Sequence, residues 1–182
     1  MSLKTKSSKK TNKTITKTIS HFRKHYEEVS DFGEIFELIK EGVEATIGRS
    51  RTGLMLGLAD LGVRPNGFIG AFYPVGSNVI VLNKTPIKVI EATRPEILKS
   101  YIFHVLMHEY LHTLGILNER HTDLFVYKIN EKLFGENHEA TKMSFNFDRL
   151  LPQLMLPAMG LQPPQSIHIE LVNDFEKTNY IG

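Results

Sequence analysis

The run KSYIFHVLMHEYLHTLGIL, residues 99–117, constrains this chain more than any other stretch. Tyr101, Ile102, Phe103, Val105, Leu106, Met107, Tyr110, Leu111, Leu114, Ile116 and Leu117 make it apolar on almost every side. A helix apolar nearly all round is a buried helix. The polar exceptions are His104, His108, Glu109, His112 and Thr113. At ~100° per residue the three histidines fall within ~80° of one another, and Glu109 lies ~60° further round. Burying such groups without partners is costly, and a metal ion is the simplest group to offset that cost. His108 and His112 stand one turn apart, so two ring nitrogens can converge on one Zn²⁺. Glu109 points beside the ion, where it can take a proton from a metal-bound water.

The five residues His108-Glu109-Tyr110-Leu111-His112 read H-E-x-x-H, and HEYLHTLG resembles the active-site helix of the zincin metallopeptidases. Gly115 extends the likeness to H-E-x-x-H-x-x-G, which resembles the metzincin branch. In metzincins that glycine allows a sharp turn, and a third His ligand follows three residues on. This sequence departs there, because the position is Asn118, and an amide is a poor Zn²⁺ ligand. His121 followed by Phe125 is similar instead to the SprT-like and WLM peptidases, which close their site with a His at the start of the next helix. The likeness covers about residues 77–143. It implies a third ligand at His121, with Glu119, Asp123, His138, Glu139 and Asn118 as the other candidates. It also makes Met143 or Met159 the candidate for a Met-turn beneath the metal. His104 reads as a buried packing histidine or a partner that orients Glu109 or His108.

Composition bounds the setting. The chain has 182 residues, enough for one domain, and no cysteine, which removes disulfides, thiolate ligands and a Cys nucleophile. The first 18 residues hold six lysines and no acidic residue; taking those six from the chain's 22 basic residues leaves 16 against 20 acidic ones. Residues 1–20 are therefore expected to be a flexible basic tail, and 21–182 a single domain. A polyanion such as nucleic acid is a conceivable partner for that tail but not the favoured one, since no aromatic residue interleaves with the lysines. No apolar run reaches the ~18 residues of a spanning helix, and no signal-peptide core follows the start, so a cytoplasmic protein without membrane contact is expected.

Between tail and central helix the pattern shifts from helix to strand. Phe32, Ile35, Phe36, Ile39, Val43 and Ile47 recur at helical intervals, with Ser30 placed as N-cap. Residues 50–63 read as a second short helix. Residues 67–75 and 78–87 are β-branched runs around Gly76-Ser77, a hairpin signal. Thr93 and Pro95 suit the opening of the central helix. Beyond Gly115, a helix is expected to end at Gly135 with Leu124, Phe125, Tyr127, Lys128, Ile129 and Leu133 on its inner side. Residues 166–173 alternate like a last strand.

The expected fold is α/β of the α+β kind: a small zincin-like domain, a mixed sheet packed on helices around the H-E-x-x-H helix. The expected function is that of a metallopeptidase acting on peptide or protein substrates, with one Zn²⁺ on His108, His112 and His121 and with Glu109 as general base. The rivals are a non-catalytic zinc-binding scaffold, which four protein ligands would mark, and a DNA-associated protease.

Overall fold

The long apolar run forms a single helix up to Thr113. A computed structural model describes residues 20–63, 68–155 and 166–172. In chain order the elements are α1 (20–28), α2 (Phe32–Ile47), β1 (Met55–Ala59), β2 (Ala71–Phe72), β3 (Val79–Asn83), α3 (Lys84–Thr93), α4 (Leu98–Thr113), α5 (Glu119–Phe134), α6 (Glu139–Met155) and β4 (Glu170–Leu171). The class is α+β, as expected: among the described residues, six helices and one four-stranded mixed sheet. The basic tail lies outside the described residues up to Ser20, which is already helical.

α4 is the hub, packing against α2, α3, α5, α6, β2 and β3. Tyr101, Ile102, Phe103, His104, Val105, Leu106, Met107, Tyr110 and Leu111 are all buried on it. Phe103 meets Tyr26 of α1 and Phe134 of α5 edge-on, at ring-centroid distances of 5.3 and 5.6 Å. These aromatic contacts lock three helices together at one point.

The sheet runs β2-β3-β1-β4, with β1 parallel to β3 and antiparallel to β4, and β2 antiparallel to β3. β1 corrects the expected helix over 50–63. A run of five apolar residues fits strand and helix equally by periodicity, and here the two flanking strands decide it. The hairpin between β2 and β3 forms, with Gly76 at φ +87° in its turn. β3 stops at Asn83 rather than running to 87, because Asn83 caps α3. Its fully buried side chain accepts the N–H groups of Thr85 and Leu61, both at 3.0 Å, and donates to the Ile69 carbonyl at 2.8 Å. One amide thus ties together the ends of β1, β2 and β3.

Other boundaries also shift. The N-cap of α2 is Asp31, which accepts the Glu34 N–H, and not Ser30. Pro95 opens a 3₁₀ turn, Pro95–Ile97, ahead of α4, while the Thr93 hydroxyl bonds back to Val89 within α3 and caps nothing. α5 does end at Gly135, but its buried stripe is Thr122, Val126, Ile129, Asn130, Leu133 and Phe134. Leu124 and Phe125 lie off that stripe and are exposed. Met143 is buried within α6, so its backbone is helical and forms no Met-turn; Met159 lies outside the described residues.

Candidate metal centre

The site is shaped by the way α4 ends. The Ile116 N–H donates to the Leu111 carbonyl at 3.2 Å and the Gly115 N–H to that of His112 at 2.9 Å, with Gly115 at φ +86°. This is a Schellman closure, and its left-handed residue favours glycine. The reversal turns the Ile116 carbonyl back onto Nδ1 of His112 at 2.7 Å, and the same carbonyl accepts the Thr122 hydroxyl at 3.0 Å. Arg49 and Arg51 donate to the carbonyls of Leu114 and Thr113, setting two cations at the negative end of α4.

The short return places the start of α5 over the two imidazoles. Glu119, its first residue, has Oε2 2.9 Å from Nε2 of His108 and Oε1 3.5 Å from Nε2 of His112. One turn on, Asp123 Oδ1 lies 3.0 Å from Nδ1 of His108. On the other side, ligand atoms of His108, Glu109 and His112 all fall within 4.8 Å of one another. The backbone N–H of Tyr73, the residue directly after β2, favours the ionised form of the Glu109 carboxylate. Tyr73 is held in turn by Arg51, whose guanidinium donates to the phenol oxygen at 2.7 Å and to the Ser77 carbonyl at 2.7 Å.

The donor set suits a divalent metal. A carbonyl only accepts, so the neutral form of His112 that satisfies this contact carries its proton on Nδ1 and leaves the Nε2 lone pair for a metal. His108 has a carboxylate facing each ring nitrogen. A neutral imidazole has one N–H, so both contacts are satisfied only if the ring gains a proton or a cation shares the Nε2–Glu119 contact. Two imidazoles and a carboxylate, with a carboxylate behind one ring, match zinc sites that keep a coordination position for water.

The electrostatics follow from the same contacts. Burial works against the charge on His108, but the Asp123 hydrogen bond, the charges of Glu109 and Asp123 and the Glu119 contact together raise its pKa. Asp123 is held below the usual carboxylate range by its hydrogen bond to His108. Burial pushes Glu109 up to about 7, against the His108 charge and the Tyr73 N–H. His104 is buried beneath the site, Nδ1 3.4 Å from the Ser144 hydroxyl and its ring 4.0 Å from that of Phe147. Burial first, then the neighbouring His108, push it down to about 3, so it stays neutral.

The fold brings Glu119, rather than His121, onto the two imidazoles. His121 stands ~200° round α5 from Glu119; it is exposed, and its backbone N–H is taken by the Asn118 side chain at 3.1 Å. Asn118, at the metzincin position, thus serves as the N-cap of α5. His138 stacks on Phe134 at 4.6 Å and accepts the Ala140 N–H, capping α6, while Glu139 is exposed in the first turn of that helix. Spacing alone gave Glu119 no mark over its neighbours. Its advantage comes from being the first residue after the turn.

A cleft of about 240 Å³ opens over the group. Phe68, Gly70 and Ala71 wall it on the side of β2, and Val105 and Phe147 on the side of α4 and α6. β2 is an outer strand of the described sheet, and its first residue, Ala71, lines the cleft. Comparison with protein-family models, with curated proteins and with solved structures gives no significant match.

Proposed function

We propose that this chain is a zinc-dependent peptidase of the zincin kind, with His108, His112 and Glu119 as the metal ligands. The observation that carries the reading is the convergence of both Nε2 atoms on the Glu119 carboxylate with Glu109 alongside. His108, His112 and Glu119 would hold the zinc ion, which would supply the Lewis acidity that acidifies a bound water and polarises the carbonyl to be attacked. Glu109 takes the proton of the attacking water and delivers it to the departing amine. Asp123 fixes the orientation of the His108 ring. An extended substrate would lie along the free edge of β2, taking up backbone hydrogen bonds as an added strand.

Three protein ligands leave room for water, which favours catalysis over a closed scaffold site. No helix among the described residues is long and apolar enough to cross a membrane. A cytoplasmic setting is part of this proposal and goes with the absence of cysteine.

Glu109→Gln tests it, because the amide keeps the shape but cannot accept the proton. Zinc content should stay at wild-type level while hydrolysis of a responsive peptide falls by orders of magnitude, ~10²-fold or more. A Gln variant that cleaves at the wild-type rate ends the reading.

A further inference from the structure

A second group of ligating side chains lies on the first two helices. His21 and His25 stand one turn apart on α1, and Glu41 approaches them from α2. One ligand atom from each lies within 4.8 Å of the other two. The two rings sit 5.6 Å apart and tilted by 53°, so they are not stacked face to face. Nδ1 of His25 is sealed from solvent and has no hydrogen-bond partner. Glu41 makes no hydrogen bond or ion pair with the other described residues. Glu41 has no partner among the described residues, so a cation held by the two imidazoles could take up its carboxylate without first breaking an ion pair.

We propose that His21, His25 and Glu41 form a second site for a divalent transition metal, zinc or nickel, which pins α1 to α2. Two imidazoles with one carboxylate suit such ions, whereas magnesium and calcium prefer oxygen alone. His21 and Glu41 are exposed, so water completes the shell. The ion would act as a clip: α1 sends Phe22 and Tyr26 into the core, and a bond from His21 and His25 to α2 would hold that helix down. Metal that binds only the folded chain also stabilises it by mass action. The H-x-x-x-H of α1 is a local signal, but Glu41 comes near it only through helix packing.

The test is a zinc titration of the full chain after chelator treatment, read by stoichiometry and thermal midpoint, for wild type, His21→Gln and Glu41→Gln. Both positions are exposed, so both variants should fold. Each variant should bind one equivalent fewer than wild type, or bind it at least ~10-fold more weakly, and should lose part of the zinc-induced rise in Tm. His112→Ala should leave this equivalent in place, which separates the site from the one on α4. If Glu41→Gln titrates like wild type, the histidine pair is an adventitious surface binder and the three-ligand site is refuted. Equal stoichiometry and affinity in all three proteins refute it as well.

Discussion

Nδ1 of His112 lies 2.7 Å from the carbonyl oxygen of Ile116, four residues on and beyond the end of its own helix. That contact sets the tautomer of the ring and leaves Nε2 facing the Glu119 carboxylate. It exists because Gly115 allows the chain to reverse at φ +86°.

Gly115→Ala should therefore loosen the metal as well as the fold. No atom lies within 4 Å of an added Cβ, so the cost is backbone strain alone, ~1–2 kcal/mol. Urea unfolding of the metal-free protein should show that loss, and zinc affinity should fall with it. Asn, which tolerates the left-handed region better, should be milder.

The third ligand separates two variants two residues apart. Glu119→Gln should weaken zinc by more than the ~10–100-fold typical of losing an orienting partner. His121→Ala, on the exposed side of α5, should hold zinc like wild type. Zinc affinities that run the other way would return the ligand to His121.

Asp123→Asn keeps a hydrogen-bonding group 3.0 Å from Nδ1 of His108 but removes the charge. Zinc affinity should drop by ~10–100-fold with the stoichiometry unchanged. Isothermal titration of the variant against wild type measures it.

His104 makes acid stability testable. Its folded pKa, about 3, lies below the unfolded value near 6.5, so between these limits the unfolded chain binds the extra proton. Its contribution is fully present above pH 6.5 and is lost as pH falls towards 3. His104→Gln should flatten the acid limb of the stability curve by up to ~1.4 kcal/mol per pH unit in that window. Chemical denaturation at several pH values checks it. His108, whose folded pKa is raised, acts in the opposite sense in both proteins.

Gly70 tests how closely β2 approaches α4. A Cβ there would meet the Tyr101 hydroxyl at 2.8 Å and Val105 Cγ1 at 3.0 Å. Gly70→Ala should cost ~1–3 kcal/mol as overpacking and shift β2 and, with it, the adjoining Tyr73. Peptide hydrolysis should fall further than zinc content, since the metal ligands stand on α4 and α5.

The central helix was legible because its own residues decide it. Apolar on nearly every side, Leu98–Thr113 had to be buried, and His108, Glu109 and His112 had to share one sector of it. Gly115 and Gly135 were equally readable as helix ends, because only backbone conformation is at stake there. Residues 55–59 were not: a short apolar run carries no period of its own, and β3 and β4 supply the hydrogen bonds that make it a strand.

The third member of the donor set belongs to the same division. By itself the sequence determined two imidazoles and a carboxylate on a buried helix, because a helical period of 3.6 residues fixes which side chains share a face. Which residue past Gly115 meets them depends on the path of the turn and on Asn118 starting α5 where it does. Those are tertiary facts. They put Glu119 over the rings and turn His121 to solvent, a choice made by where two helices cross and not by the chemistry of either residue.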